Sequence, residues 1–218
     1  MTTLAHRTVT QDDRVRLTNV LRTLRQMLAQ RGYNIDEFEW PSAEDVNTLA
    51  DYERLNMVFY HSQARPPLMV FYVGELSAGK QSVMDLERRM SEETIGHAIV
   101  ILRGKLTPQG SEQLNELTRV RTESERRTVQ RKRVEKFYEA ELQVDITEHE
   151  LVPRHTALNN DEKKRIMKQY YCGEDEQFPA LLLNDPITRY YGWTRGQMVR
   201  IERPSETAGT TVFYRIVT

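Results

Sequence analysis

Two apolar runs separated by a helical stretch constrain the fold of this chain more than any other feature. Leu68–Val73 and Ala98–Leu102 are six and five residues long, which suits strands buried on both faces. Between them, Val83–Met90 carries apolar residues at helical spacing. A strand, a helix and a strand in this order predict a parallel crossover in an α/β layer. Met57–Tyr60 predicts a further strand before them.

A long amphipathic helix is predicted ahead of these strands. Thr10 and Asp13 form a capping pair at its start, and Gly32 stands where a left-handed residue would end it. Its apolar side chains fall on one stripe at helical spacing: Leu17, Val20, Leu21, Leu24, Met27 and Leu28.

The stretch after the third strand is dense in charge. Thr107 followed by Pro108 is a strong helix start, because threonine caps and proline suits the first helical position. From Ser111 to Glu141 the composition predicts a solvated helix with i,i+4 ion pairs. A basic arm that touches DNA and an import signal are the alternatives for its cationic cluster, which comprises Arg126, Arg127, Arg131, Lys132 and Arg133.

A second unit is predicted from about residue 143. It contains a helix over Asn160–Tyr171 that Gly173 would stop, and a helical turn that Asp185-Pro186 starts and Gly192 ends. Alternating residues around Val199–Ile201 and Val212–Ile216 predict two strands, joined by a hairpin-like turn over 204–209.

Composition excludes several classes of protein. The chain has 31 Lys and Arg against 32 Asp and Glu, without the basic surplus of a freestanding nucleic-acid binder. Its one cysteine, Cys172, rules out an intramolecular disulfide and a cysteine-based zinc site. Residues 1–11 lack the apolar segment of a signal peptide, so we expect an intracellular, soluble chain.

One segment is close to a phosphate-binding loop. Residues 74–80 fit G-x-x-x-x-G-K, but Gln81 stands where a Ser or Thr must hold magnesium. Ser82 comes one position late, about 100° further around the helix. The next strand ends in Arg103 and supplies no aspartate for the metal. A nucleotide-binding protein that uses residues 74–82 is therefore the weaker alternative, and an ordinary strand-to-helix turn is preferred.

No other motif predicts chemistry. His149 and His155 are separated by Pro153, which prevents one helical face from presenting both to a metal. Cys172 lacks a local histidine to activate it as a nucleophile. We therefore predict no catalytic residue, no metal and no cofactor.

The C-terminal third resembles a known family. A series of short motifs in this third is similar to the assembly domain of the fifth subunit common to nuclear RNA polymerases I, II and III. In chain order, the motifs are Ile146–Pro153, Asn160–Lys163, Asn184–Gly192, Arg195–Val199, Ile201–Gly209 and Tyr214-Arg215. The counterpart of that subunit in archaeal RNA polymerase consists of this domain alone. Leu17–Tyr33 and His97–Pro108 extend the resemblance, more weakly, to nearly the whole chain. The charged stretch around 118–134 looks like an insertion relative to the family.

The resemblance implies two domains and a non-catalytic role. Residues 1–142 would form an α/β jaw domain, three-layered and nuclease-like without a catalytic site, and 143–218 a small α+β assembly domain. The chain would work in the nucleus, anchored on the largest polymerase subunit, with its lower jaw near downstream double-stranded DNA. A diverged paralogue in a viral or specialised polymerase stays open as an alternative.

The resemblance also implies which residues function. The turn nearest the duplex would comprise Thr107, Pro108, Gln109 and Gly110. Arg, Tyr and Trp, including Trp193, are enriched in interfaces, although such aromatic residues could equally fill the core of a small domain. The residues assigned to the subunit interface are Glu148, His149, Leu151, Pro153, Asp185, Pro186, Arg189, Tyr190, Tyr191, Gly192, Arg195, Gly196, Arg203, Pro204, Ser205, Glu206, Thr207, Gly209, Tyr214 and Arg215.

Overall fold

The computed structural model divides the chain into two compact units, Met1–Val144 and Asp145–Thr218. It describes residues 9–36, 38–46, 49–60, 66–118, 132–205 and 209–218. No helix among these residues is both long enough and apolar enough to cross a membrane.

A four-stranded sheet organises the N-terminal unit. Its strands are β1 (Met57–Phe59), β2 (Leu68–Val73), β4 (His97–Leu102) and β6 (Arg133–Tyr138), in the order β1-β2-β4-β6. β2, β4 and β6 run parallel and β1 is antiparallel to β2. The predicted parallel crossover is confirmed, because helix α2 (Lys80–Glu92) connects β2 to β4.

The predicted first helix is also confirmed. α1 spans Gln11–Gln30 and buries the predicted apolar stripe. The Thr10 side chain accepts a hydrogen bond from the backbone of Asp13, whose carboxylate accepts one in return from the backbone of Thr10. This reciprocal pair satisfies two backbone donors that the first helical turn leaves open.

The core of the N-terminal unit lies on both faces of the sheet. On one face Met69, Phe71, Val100 and Leu102 pack with α2 and with helix α3 (Pro108–Thr118). The alternate side chains of β2 and β4 are also buried: Leu68, Val70, Tyr72, Ile99 and Ile101. A sheet covered on both faces explains why these two strands are continuously apolar.

The prediction of a continuous helix from Ser111 to Glu141 is wrong. α3 ends at Thr118, and residues 133–138 form β6, paired with β4 in the register Ala98–Val134 to Leu102–Tyr138. Val134, Phe137 and Tyr138 favour a strand, and an edge position accommodates the charged residues between them. Of the predicted insertion, residues 119–131, including Arg126, Arg127 and Arg131, lie outside the described part of the chain.

The C-terminal unit is built on a second four-stranded sheet. Its strands are β7 (Arg154–Ala157), β8 (Ala180–Leu181), β9 (Met198–Ser205) and β10 (Gly209–Val217), in the order β7-β9-β10-β8. β9 and β10 form the predicted antiparallel hairpin. The predicted turn that starts at Asp185-Pro186 is helix α5 (Pro186–Tyr191), which ends at Gly192 with φ +65°.

The predicted stop of the remaining helix is misplaced. α4 spans Asn160–Gln169, and the residue after its C-cap is Tyr171, which adopts a left-handed conformation at φ +57°. The backbone N–H of Cys172 then bonds to the carbonyl of Met167 at 2.9 Å. Tyr171 therefore occupies the position that glycine usually holds, and Gly173 lies beyond it.

Thr94 provides a stability test at the corresponding end of α2. Its φ is +55°, a region that a β-branched residue adopts only at a cost. We expect Thr94→Gly to raise the free energy of unfolding by about 0.5–1 kcal/mol, since glycine removes that strain. Urea denaturation measures the change. Glu93→Gly is the matched control: Glu93 has right-handed angles, so this variant should instead lose stability, and a gain there would contradict the explanation.

Candidate nucleic-acid interface and anchoring surface

A short parallel ribbon positions the turn predicted to lie near DNA. β3 (Ser77–Ala78) pairs with β5 (Lys105–Leu106) in a separate two-stranded sheet, whose strands follow β2 and β4 in the chain. The N–H of Lys105 bonds to the carbonyl of Leu76 at 3.1 Å, and that of Thr107 to the carbonyl of Ala78 at 2.9 Å. These bonds fix Thr107 where α3 begins.

The first turn of α3 is capped and partly exposed. Thr107 Oγ1 accepts a hydrogen bond from the backbone N–H of Gly110 at 3.1 Å, which confirms the predicted cap. Pro108 and Gln109 are exposed, and so is Lys105 on the ribbon. An exposed helix N-terminus beside a lysine favours a phosphate through its N–H groups and its positive dipole end.

Gly110 does not belong to this exposed surface. It is buried, and a Cβ placed on it would lie 3.0 Å from the carbonyl oxygen of Ala78 and 3.1 Å from Leu106 Cδ1. The absent side chain lets α3 approach the ribbon closely. Gly110 therefore has a packing role, and the exposed Lys105, absent from the sequence prediction, extends the surface in its place.

The segment that resembles a phosphate-binding loop has another geometry. Residues 77–78 form β3, so they are hydrogen-bonded to β5 instead of curving around a phosphate. A side chain on Gly74 would meet the ring of Tyr52 at 2.7 Å, which explains the glycine by packing. The hydroxyl of Ser82 donates to Glu75 Oε2 at 3.0 Å. This carboxylate would repel a phosphate at the start of α2, which supports the ordinary turn.

The carboxyl ends of the parallel strands carry a network of paired charges. Such ends are where α/β proteins commonly bind ligands. Here Arg103 donates to Asp13 at 2.8 Å, Arg16 also pairs with Asp13, and the Tyr72 hydroxyl donates to Glu139 at 2.8 Å. Each of these carboxylates is thus engaged by a cation or a phenol.

The pKa shifts of Asp13 and Tyr72 are consistent with a structural role for this network of paired charges. Burial would raise the pKa of Asp13, but hydrogen bonds from Thr10, the charge of Arg103 and a hydrogen bond from Arg16 outweigh it and lower the pKa to about 2. A carboxylate with so low a pKa is a poor proton acceptor at neutral pH. Burial, together with Glu139, raises the pKa of the Tyr72 phenol. Among the described residues, no group of three or more His, Cys, Asp or Glu side chains could hold a metal.

The core of the C-terminal unit includes two aromatic residues predicted for the interface. Tyr190 and Trp193 are buried, the latter with Ile187, Val199 and Ile201. The Tyr190 hydroxyl donates to Asp145 Oδ2 at 2.7 Å. Burial, and to a smaller extent this hydrogen bond, raise the pKa of the phenol. These two residues therefore stabilise the unit from inside and offer no direct contact surface.

The other predicted interface residues differ in exposure. Half-buried are Pro153, Asp185, Arg189, Tyr191, Gly192, Ser205, Tyr214 and Arg215, while exposed are Glu148, His149, Leu151, Pro186, Arg195, Gly196, Arg203, Pro204 and Gly209. Tyr191 stacks on Trp193 with ring centroids 4.7 Å apart. Glu206 and Thr207 lie outside the described residues. The exposed members can meet a partner directly, and the half-buried ones shape that surface.

Exposed apolar side chains add to this surface. Leu182 is 65% exposed, Phe213 is 47% exposed, and Leu151 is 84% exposed. The guanidinium of Arg203 lies over the ring of Phe213, 5.7 Å from its centroid. Neither Leu182 nor Phe213 is among the residues predicted from the sequence for the interface. The run of three leucines at 181–183 could have indicated an exposed apolar group, because a two-residue strand such as β8 ends at Leu181 and buries only that leucine.

The fold is that of a two-unit protein: a mixed α/β unit followed by a smaller unit with a mostly antiparallel sheet. Comparison with known proteins makes the class specific. Residues 144–217 match the family described as RNA polymerase Rpb5, C-terminal domain.

Curated relatives match along nearly the whole chain. A protein of Dictyostelium discoideum, subunit rpabc1 of DNA-directed RNA polymerases I, II and III, is 34% identical over 212 residues, which cover 94% of this chain and 98% of the relative. Subunit RPABC1 of Caenorhabditis briggsae is 30% identical over 213 residues, covering 93% and 95%. A subunit 5-like protein of Arabidopsis thaliana is 29% identical over 214 residues, covering 94% and 96%. The chain belongs to the Rpb5 family of DNA-directed RNA polymerase subunits, which confirms the resemblance noted in the sequence.

Proposed function

We propose that this chain is a non-catalytic subunit of a nuclear RNA polymerase that anchors on the largest subunit and holds the lower jaw near downstream DNA. Membership of the Rpb5 family supports a role in transcription as part of a multi-subunit enzyme. The catalytic site would then belong to other subunits.

The exposed surface of the C-terminal unit is the observation that carries the anchoring role. Arg203 and Phe213 form a cation–π pair on the outer part of the hairpin, and Leu182 and Leu151 expose large apolar side chains. Exposed apolar groups beside an arginine are typical of contact surfaces between proteins. A unit of this size also gains stability when a partner binds its folded form.

The N-terminal unit would meet DNA at the first turn of α3. Thr107 and Pro108 start the helix, and Gln109 and Lys105 are exposed beside them. With a balanced total charge, the chain would contact the duplex locally, positioned by its partner subunits. Contacts of this kind fix position on the phosphate backbone without reading sequence.

Two sets of variants separate these roles. We expect Arg203→Ala with Phe213→Ala to reduce recovery of the largest subunit by about tenfold when tagged protein is purified from nuclei, because an exposed arginine and the ring beneath it are removed. Lys105→Glu with Gln109→Glu should leave recovery unchanged and weaken crosslinking of the assembled polymerase to downstream duplex, because both changes repel phosphate.

Gln169→Glu, an exposed glutamine on α4, is the matched charge control and should change neither readout. If both sets of variants reduced recovery of the largest subunit to the same degree, the assignment of anchoring to the C-terminal unit and of DNA contact to the N-terminal unit would be contradicted. Recovery of the wild-type protein without any polymerase subunit would overturn the proposed function itself.

A further inference from the structure

The end of helix α4 exposes two adjacent tyrosines beside three cations. Tyr171 is 95% exposed and Tyr170 is 52% exposed. Lys164, Arg165 and Lys168 are exposed on the preceding turns of the same helix. None of these three cations forms an ion pair with a side chain in the described part of the chain. We refer to these five residues as the α4 surface.

The backbone holds Tyr171 outward at a cost. Its left-handed conformation, φ +57°, is one that a bulky residue rarely adopts and that glycine would adopt freely. Tyr170 is supported from behind, with ring centroids 6.2 Å from Phe178 and 5.9 Å from Tyr214. The ring of Tyr170 therefore packs against the C-terminal unit, and the side chain of Tyr171 is almost fully exposed to solvent.

The cations extend away from the rings along one side of the helix. Lys164 and Lys168 are four residues apart, which places them on the same face and about 6 Å apart along the axis. Arg165 lies next to this pair, and α4 packs its opposite side inward through Ile166 and Met167, which are half-buried. One side of α4 thus carries three exposed cations, and the exposed ring of Tyr171 follows the helix within one turn of Lys168.

We propose that the α4 surface binds single-stranded nucleic acid. Exposed aromatic rings beside a row of cations match the way such strands are held, with bases stacked on the rings and phosphates along the positive groups. An acidic peptide would engage the cations but would gain little from a tyrosine that is almost fully exposed. Stacking and phosphate contacts of this kind do not distinguish one base from another, so binding should be tolerant of sequence.

The acidic neighbours limit the strength of this contact. Asp161 lies one turn before the cations, and Glu174 and Glu176 follow the tyrosines, all in the same unit. The α4 surface is therefore local and suited to a few nucleotides. Its affinity should depend steeply on salt, because binding releases counterions from the strand.

The experiment uses the full chain and a fluorescent 12-nucleotide oligouridylate, with binding followed by anisotropy at low salt. We expect Tyr171→Gly to raise Kd by at least fivefold through loss of one stacked base, while glycine removes the backbone strain and so preserves the fold. Tyr171→Phe keeps the ring and should keep Kd within about twofold. The triple variant with Lys164, Arg165 and Lys168 changed to Gln should reduce the slope of log K against log salt by about 2.

Three results would overturn the proposal. Unchanged binding by both Tyr171→Gly and the triple variant would place the nucleic acid elsewhere. Loss of binding in the triple variant only, with a glutamate-rich peptide competing equally, would identify a site for acidic protein segments. Equal weakening by Tyr171→Phe and Tyr171→Gly would show that stacking contributes nothing. Recovery of the largest polymerase subunit, measured with the same variants, tests the proposed function separately and should not change.

Discussion

Gly104→Ala should destabilise the N-terminal unit by about 3 kcal/mol, the largest effect we expect from adding a single methyl group. A Cβ on Gly104 would lie 2.0 Å from the carbonyl oxygen of Leu76 and 2.5 Å from its Cα. Real Cβ atoms do not approach backbone so closely, and a backbone segment held by hydrogen bonds has no side-chain rotation with which to yield. Overpacking of this severity should cost an amount at the upper end of the usual range for an added methylene, about 1–3 kcal/mol.

We expect this substitution to disrupt the β3–β5 ribbon first, before the whole N-terminal unit unfolds. The β3–β5 ribbon depends on the bond from Lys105 N–H to Leu76 and on the bond from Thr107 N–H to Ala78. Separation of the two strands by the new methyl group would break both bonds and release the N-cap of α3. Hydrogen exchange with mass spectrometry should show protection in 103–110 falling by about 100-fold, since 1.4 kcal/mol corresponds to a factor of ten.

Gly173→Ala is the matched control, because a Cβ there would meet nothing within 4 Å. It should leave exchange in both units unchanged or slightly slower. If the proposed DNA contact at Thr107 is right, Gly104→Ala should also weaken crosslinking of the assembled polymerase to downstream DNA, while the C-terminal unit remains folded. Unaltered protection of 103–110 would show that the close approach of Gly104 to Leu76 is not required.

Sequence reasoning recovered those elements whose signals are local. The capping pair at Thr10 and Asp13, the proline-initiated helix at Pro108 and the apolar strands each depend on a few neighbouring residues. β6 was missed because its identity depends on pairing with β4, about 35 residues earlier in the chain. Its composition, rich in charge, resembles a solvated helix until that pairing is known.

The site residues divide in the same way. The helix start at Thr107 and Pro108 was predictable because capping chemistry is visible in two adjacent residues, whereas their nearness to DNA is implied by the resemblance and stays a prediction. The burial of Tyr190, Trp193 and Gly110 could not be read from residue type, since tyrosine, tryptophan and glycine occur both in cores and at surfaces. Conversely, Leu182 and Phe213 are large apolar residues of the kind that fill cores, and only the structure shows that Leu182 lies just beyond β8 and that Phe213 is on an exposed position of β10.

Glu135→Gln should cost about 3–5 kcal/mol of the stability of the N-terminal unit. Glu135 lies on β6 and accepts from Arg31 at 2.8 Å, from Arg133 at 2.9 Å and from His97 at 2.8 Å. The Arg31 side chain is 4% exposed and that of Glu135 is 13% exposed. Substitution removes a carboxylate but leaves a buried guanidinium, which is costly because the remaining charge is kept from water.

The same cluster predicts how stability depends on pH. Burial would raise the pKa of Glu135, but Arg31, the hydrogen bond from His97 and Arg133 outweigh burial and lower it from 4.5 to about 2. Because the folded pKa is lower than the unfolded one, the contribution is fully present above pH 4.5 and is lost as pH falls toward 2. A shift of this size corresponds to about 3 kcal/mol.

Urea denaturation between pH 7 and pH 2 tests both statements. The wild-type free energy of unfolding should fall through this acid range, with Glu135 and Asp13 both contributing, since the pKa of Asp13 is also lowered to about 2. Glu135→Gln should start lower at pH 7 and fall less steeply, because one carboxyl group with a lowered pKa is gone. Glu92→Gln, at a side chain that is 61% exposed, should keep the wild-type slope. An identical slope in Glu135→Gln would mean that the ion cluster holding β6 to α1 does not contribute to the acid sensitivity of the fold.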